Sequence, residues 1–271
     1  MIARALAVLL TLLALPAAAE PALTVSVGGA ERVFTPAALL ASPDAVTVSV
    51  PKDASYGRAM TYRAVPLGAL VAVDALPRDG VLEAAASDGF VAHLPVRLLA
   101  QAGGAEPYVA VEPPDAPWPP LPGKSVSAGP FYVVWLKPEA SGISPEQWPY
   151  QLARLFSAES PLARWPVLAV AETLPADDPA RAGQALFVAN CLPCHTLNGG
   201  GAANVGPDLN RPMNPTEYLK PDALKRLIRD PASVRSWPEQ RMPAFAEAAL
   251  GDADLDRLVA YLGHMAGRKV K

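Results

Sequence analysis

Only two cysteines occur in the chain, and both stand in the run Cys191-Leu192-Pro193-Cys194-His195. Two thiols three positions apart, followed at once by an imidazole, form the C-x-x-C-H pattern of covalent haem attachment. On a helical turn positions i, i+3 and i+4 share one face, so both sulfurs can reach the vinyl groups of one porphyrin while His195 meets its iron as the proximal ligand. Three other chemistries compete for these residues. A thioredoxin-like pair opens a helix after a strand, whereas here a helical pattern precedes the motif. A zinc site needs a further ligand at a suitable spacing, and the other histidines, His93 and His264, lie 102 and 69 residues away. A plain disulfide, the usual fate of cysteines in an oxidising compartment, leaves His195 without a role. One covalently bound haem c is therefore expected.

The elements around the motif must hold it in place. Asp177-Asp178-Pro179 offer a cap and a first-turn proline, and Arg181–Asn190 place Gly183, Leu186, Phe187 and Asn190 on one stripe of a helix that delivers Cys191. Downstream stand Gly206-Pro207-Asp208-Leu209 and Arg241-Met242-Pro243-Ala244-Phe245. Asp252–Ala266 follow, with Leu255, Leu258, Val259, Tyr261 and Leu262 periodic as on a packed helix.

These motifs resemble a class I cytochrome c over residues 173–271. The resemblance implies an all-α cytochrome c fold in which Gly183 and Phe187 of the first helix pack on Tyr261 of the last. It also implies that the Pro207 carbonyl accepts a bond from the proximal imidazole, fixing its orientation. Met242, 47 residues beyond His195 and followed by proline, would be the sixth iron ligand, and a thioether there raises the potential relative to two nitrogens. Met213, in the proline-flanked run Arg211-Pro212-Met213-Asn214-Pro215, is the rival distal ligand. Met60 and Met265 read as core fillers, and His264 as a member of the last helix.

The whole chain has 271 residues, 51% hydrophobic and 18% charged, with a net charge of −3. That composition excludes a disulfide-stapled miniprotein and a disordered tail. Its 31 prolines are dispersed without a period, so a loop-rich compact protein is expected. An acidic balance argues against nucleic acid as a partner, because phosphate neutralisation needs clustered Lys and Arg. Arg4, the apolar run Ala5–Leu15, Pro16 and Ala17-Ala18-Ala19 have the form of a secretory signal, residues 1–19, cleaved before Glu20. A run of eleven residues falls short of the roughly 20 that a bilayer span needs; no stable membrane span and a periplasmic location are expected. Two domains are predicted, 20–172 and 173–271, joined at Leu174–Pro179. The first carries a net charge of −5 and the second +1.

Residues 20–172 read as α+β, a mixed sheet with short helices. Strands are predicted at Leu23–Val27 and Glu31–Phe34 around Gly28-Gly29, at Val46–Val50, Val81–Ala86, Phe90–Leu94, Tyr108–Val111 and Phe131–Leu136. Short helices are predicted after Thr35-Pro36 and over Pro66–Val73. Val65–Leu70, Ser87-Asp88-Gly89-Phe90 and Pro95–Leu99 resemble the molybdopterin-binding domain of sulfite-oxidase-like enzymes, over residues 22–140. That family holds molybdenum through a cysteine thiolate, and both cysteines here are committed to haem, so a scaffold without molybdenum is expected. Trp118, in a segment with six prolines between Pro113 and Pro122, is expected to tuck inward, Trp135, Trp148 and Tyr150 to lie in the core, and His93 to be a satisfied strand histidine.

No nucleophile motif, phosphate loop or paired-carboxylate pattern points to a catalytic residue. The expected function is a periplasmic monohaem electron carrier whose N-terminal domain selects or docks a redox partner: a dehydrogenase, an oxidase or another cytochrome. The alternatives are the electron-accepting part of a periplasmic, sulfite-oxidase-like oxidoreductase, or a haem-based sensor with an open iron. Six of the twelve basic residues of 173–271 fall between Lys220 and Arg241 and could steer an acidic partner.

Overall fold

A computed structural model describes residues 20–238 and 240–270; the signal-like segment 1–19 lies outside them. The sheet-rich part begins with β1 (Leu23–Val27) and β2 (Ala30–Phe34), a hairpin closed by Gly28 and Gly29. Their φ values of +62° and +79° are those a two-residue turn of this hand requires and glycine alone adopts freely. Helix α1 (Pro36–Leu40) starts where Thr35 accepts a bond from Ala38 N. Strands β3 (Val46–Val50) and β4 (Met60–Pro66) follow, then α2 (Leu67–Leu70), β5 (Val81–Ala86), β6 (Val91–Pro95), α3 (Val96–Leu99), β7 (Glu106–Val111), β8 (Phe131–Leu136) and β9 (Leu152–Ala158). They form two sheets, β2-β1-β9-β5-β6 and β3-β4-β7-β8.

Two differences from the sequence expectation have clear causes. The helix predicted over Pro66–Val73 is only one turn long, because Pro66 still belongs to β4 and Val71 is extended at φ −129°. Strand β9 was not expected at all. Its fully buried side chains, Leu152 and Leu155, are three apart, since the pairing with β5 shifts register at Ala85/Ala86; the period-2 signal that marks a strand is thereby erased.

The sheets enclose one core that includes Leu23, Val25, Tyr62, Val109, Trp135 and Leu155. Trp135 and Trp148 lie in it, Tyr150 is half-buried against it, and Trp118 turns its ring onto the edge of Tyr62 at 4.8 Å. Asp53, 1% exposed, accepts bonds from Ser55 N, Tyr56 N, Tyr62 OH and Tyr132 OH at 2.8–3.1 Å. A buried carboxylate so fully paired is a structural knot.

The helical region comprises α4 (Pro161–Arg164), α5 (Pro179–Asn190), α6 (Pro215–Tyr218), α7 (Pro221–Arg229), α8 (Pro231–Val234) and α9 (Asp252–Ala266). Among the described residues no helix is long and apolar enough to cross a membrane. The second core takes in Leu168 and Val170 as well as the helices. Tyr261 OH donates to Leu168 O at 2.7 Å and Ala171 N donates to His264 Nε2 at 3.0 Å, which fixes the connecting chain on α9. Met265 is buried there, as Met60 is in the first core.

The two cores meet along the free edge of β6. Val91 N donates to Pro193 O at 3.0 Å, and the β5–β6 turn is so close to Asn204 that a Cβ on Gly89 would stand 1.8 Å from its Oδ1. Nearby, Arg164 Nη1 lies 2.8 Å from Glu83 Oε1, and both Glu83 and His93 are buried. His93 departs from the satisfied histidine expected: Nε2 stands 3.4 Å from Glu83 Oε1, neither ring nitrogen has a hydrogen-bond partner among the described residues, and the ring instead meets the edge of Trp165. Burial alone would raise the Glu83 pKa, but His93 and Arg164 together hold it below the usual carboxylate range.

A carboxylate with a depressed folded pKa adds stability above its unfolded value, about 4.3, and loses it as pH falls. Arg164→Ala should cost about 2 kcal/mol at pH 7, toward the low end for a buried pair because the guanidinium is partly exposed. The deficit should shrink as pH falls below about 4; urea unfolding at both pH values checks it.

Candidate functional site

Helix α5 places the two thiols, and its own position is set by sequence. Asp178 accepts from Ala180 N at 2.9 Å and Pro179 occupies the first turn. Along α5 the backbone runs against α9: a Cβ on Gly183 would lie 1.9 Å from the Arg257 carbonyl oxygen. One turn on, the Phe187 and Tyr261 rings pack with centroids 5.2 Å apart. Beyond Asn190 the helical turn continues through the motif. Cys191 N bonds Phe187 O at 2.8 Å, and His195 N bonds Cys191 O at 2.8 Å.

His195 is then oriented from below. Gly206 N donates to Cys194 O at 2.7 Å, and His195 Nδ1 meets Pro207 O at 2.8 Å. A carbonyl only accepts, so Nδ1 carries the proton and Nε2 keeps its lone pair. A Cβ on Gly206 would stand 2.5 Å from the imidazole, so glycine is what lets the loop lie flat against the ring. Burial pulls the His195 pKa down, favouring the neutral imidazole that metal ligation requires.

Asp208 holds this loop. It accepts bonds from Thr196 Oγ1, Asn198 N, Gly199 N, Asn210 N and Arg211 N at 2.7–3.1 Å. Burial would raise its pKa, but these bonds outweigh burial and lower it. A ladder of buried asparagines then ties the loop to the end of α9. Asn210 Nδ2 reaches Asn198 Oδ1 and Met265 O, and Asn214 Nδ2 reaches Asn210 Oδ1 and Leu262 O, all at 2.7–3.0 Å. Sequence inspection missed this ladder. Its only signal was three asparagines in a stretch read simply as loop.

Between these elements lies a cavity of about 250 Å³ lined by Cys191, Cys194, His195, Pro207, Met242 and, from α6 and α7, Tyr218, Leu224, Leu227 and Ile228. Met242 is held there because Phe245 N bonds Ile228 O and Arg229 Nη1 bonds Phe245 O, which pins its loop on α7. Met213 is 50% exposed and contributes nothing to the wall. The cysteines are not joined by a disulfide. Burial, reinforced by the Glu146 carboxylate, pushes Cys194 up to about 12 and Cys191 higher still, so both are neutral thiols and not the low-pKa thiolates of a thiol–disulfide catalyst.

Residues 178–262 match the family model described as "Cytochrome C oxidase, cbb3-type, subunit III". A cytochrome c of Theileria annulata is 41% identical over 56 residues, covering 19% of this chain and 48% of that protein. The helical region is a cytochrome c-type domain. The chain spans about half the length of that curated relative, and no solved structure matches it. This cytochrome c-type domain carries covalently bound haem c. The cavity fits that group: its lining combines two neutral thiols, an imidazole whose Nε2 keeps its lone pair, a thioether and mainly apolar side chains, and Gly206 leaves room beside the imidazole.

Because the α5–α9 contact is backbone on backbone, neither helix can yield by rotating a side chain. Gly183→Ala should therefore destabilise the protein by about 1–3 kcal/mol, the usual cost of overpacking, and lower the yield of haem-loaded protein; denaturant unfolding and Soret absorbance per mole check the two effects.

Proposed function

We propose that the chain is an exported single-electron carrier in which Cys191 and Cys194 hold one haem by thioethers and His195 and Met242 are its axial ligands. One observation carries this reading: the C-x-x-C-H turn and Met242 line one and the same largely apolar cavity. Haem supplies a one-electron couple between Fe(III) and Fe(II). The protein's own groups do the rest. Pro207 accepts from His195 Nδ1, which orients the ring, leaves Nε2 as the free donor and raises its basicity. Met242 offers a soft neutral donor that favours the reduced state. The apolar wall from α6, α7 and α9 excludes water, so little solvent reorganises when charge changes.

Arg235 and Arg241 line the same cavity, whereas Lys225 and Arg229 are taken up by Asp256 and Asp252. We assign the steering of an acidic redox partner to the first pair, beside the exposed Trp237. The family that residues 178–262 match is named for an oxidase subunit, and a respiratory redox protein is the partner class that best suits this surface. The sheet-rich part serves as a docking scaffold. The basic and apolar character of residues 4–19 supports export to the periplasm.

Met242→Ala should keep the covalent haem but change the ligand-field spectrum and lower the potential by on the order of 0.1 V, a fraction of the ~0.8 V that axial ligands span. An unchanged spectrum would assign the sixth position elsewhere. Changing both cysteines to serine should make the haem extractable into acidified organic solvent, whereas extraction from the wild type would refute the thioethers.

A further inference from the structure

We propose that Glu146, contributed by the sheet-rich part, is the proton-coupled group of the haem site: its carboxylate takes up a proton when the haem takes up an electron and releases it on oxidation. This rests on the carrier reading above and adds a residue that no motif of the cytochrome c-type domain contains.

The placement of Glu146 is the first support. It sits on the short turn Pro145–Gln147, which packs against α5 and β6. Among the described residues it is the one cavity-lining side chain that does not come from the helical region. The second support is that its carboxylate, half-buried at the cavity wall, has no hydrogen-bond or ion-pair partner among the described residues. The third is its neighbourhood: it lines the same cavity as Cys191 and Cys194, the residues that would tether the porphyrin, and its charge helps push both thiols up. Desolvation by burial pushes its acid up to about 7, so both charge states are accessible near neutral pH.

The other charged groups on the elements around it are accounted for. On α5 the one titratable residue, Arg181, is bonded to the carbonyls of Glu172, Leu174 and Pro175. On β6, His93 faces Glu83. Cys191 and Cys194 are consumed by the thioethers. Asp88, in the β5–β6 turn, bears on Cys194, while Arg235, Arg241 and His195 share the cavity wall.

In the coupled step Fe(III) gains one electron from the redox partner and becomes Fe(II), and the Glu146 carboxylate gains one proton from solvent and becomes a carboxylic acid. Loss of one positive charge at the iron weakens its attraction for the nearby carboxylate, so reduction raises proton affinity and the potential falls as pH rises. Below both pKa values Glu146 is protonated in either state, and above both it is ionised in either; the slope is confined between them.

Midpoint potentials of the full-length holoprotein between pH 5 and 9 test this. Wild type should show a potential that falls with pH around neutrality, by up to tenfold in the electron equilibrium per pH unit, which is 59 mV for one electron. Glu146→Gln should flatten the profile, Glu146→Asp should keep a slope, and Asp88→Asn should leave it unchanged. A flat wild-type profile, or a slope that survives in Glu146→Gln, overturns the proposal. Should Glu146→Gln fail to mature, infrared difference spectra on reduction decide: a protonated-carboxyl band that is gained by wild type and shifted in Glu146→Asp supports it, and an absent or unshifted band overturns it. Protein without Soret absorption would overturn the carrier reading itself, and this one with it.

Discussion

The missing side chain at Gly183 lets two helices touch through their backbones, and the haem site is built outward from that contact. With no Cβ there, α5 lies against the Arg257 carbonyl, the Phe187 and Tyr261 rings pack one turn further on, and Cys191 emerges at a defined height above α9. The wall that carries Met242 reaches the same helix through α7, whose Arg229 holds the Phe245 carbonyl and pairs with Asp252 at the start of α9. Both sides of the cavity are thus referenced to α9. This ties the spacing between imidazole and thioether to helix packing, which is stiff, and frees it from loop geometry, which is not.

The sheet-rich part is continuous with this construction. An edge strand normally exposes unpaired amides that invite association; here Val91 N on the edge strand β6 is spent on Pro193 O, inside the C-x-x-C-H turn itself. Arg164, Glu83, His93 and Trp165 form a second tie beside it. Glu146, on a turn packed against α5 and β6, lines the cavity as well. A strand edge and a carboxylate from one core therefore reach the site housed by the other, which makes the N-terminal part a contributor to its wall.

Local signals made much of this legible. The cap at Asp178, the glycine pair at Gly28-Gly29 and the stripe on α9 each depend on residues within a few positions of one another, and the corresponding elements stand where those signals place them. Where the signal was not local it failed. Strand β9 pairs in parallel with β1 more than a hundred residues away and bulges against β5, so its own apolar spacing carries no strand period. The helix expected over Pro66–Val73 shrank to one turn because β4 and its tertiary pairing claimed Pro66.

The sequence by itself determined the chemistry: two thiols and an imidazole on one helical turn can hold only a few kinds of group, and chain spacing alone settles which atoms share a face. Only the tertiary structure set Met242, and not Met213, in the wall of their cavity, since both lie in proline-flanked loops and long-range bonds pin the loop of Met242 against α7. It alone also revealed Asp208 as the anchor of the proximal loop and Glu146 as part of the cavity wall. Bonds and burial between residues far apart in the chain are set by packing, and packing leaves no periodic trace in the order of residues.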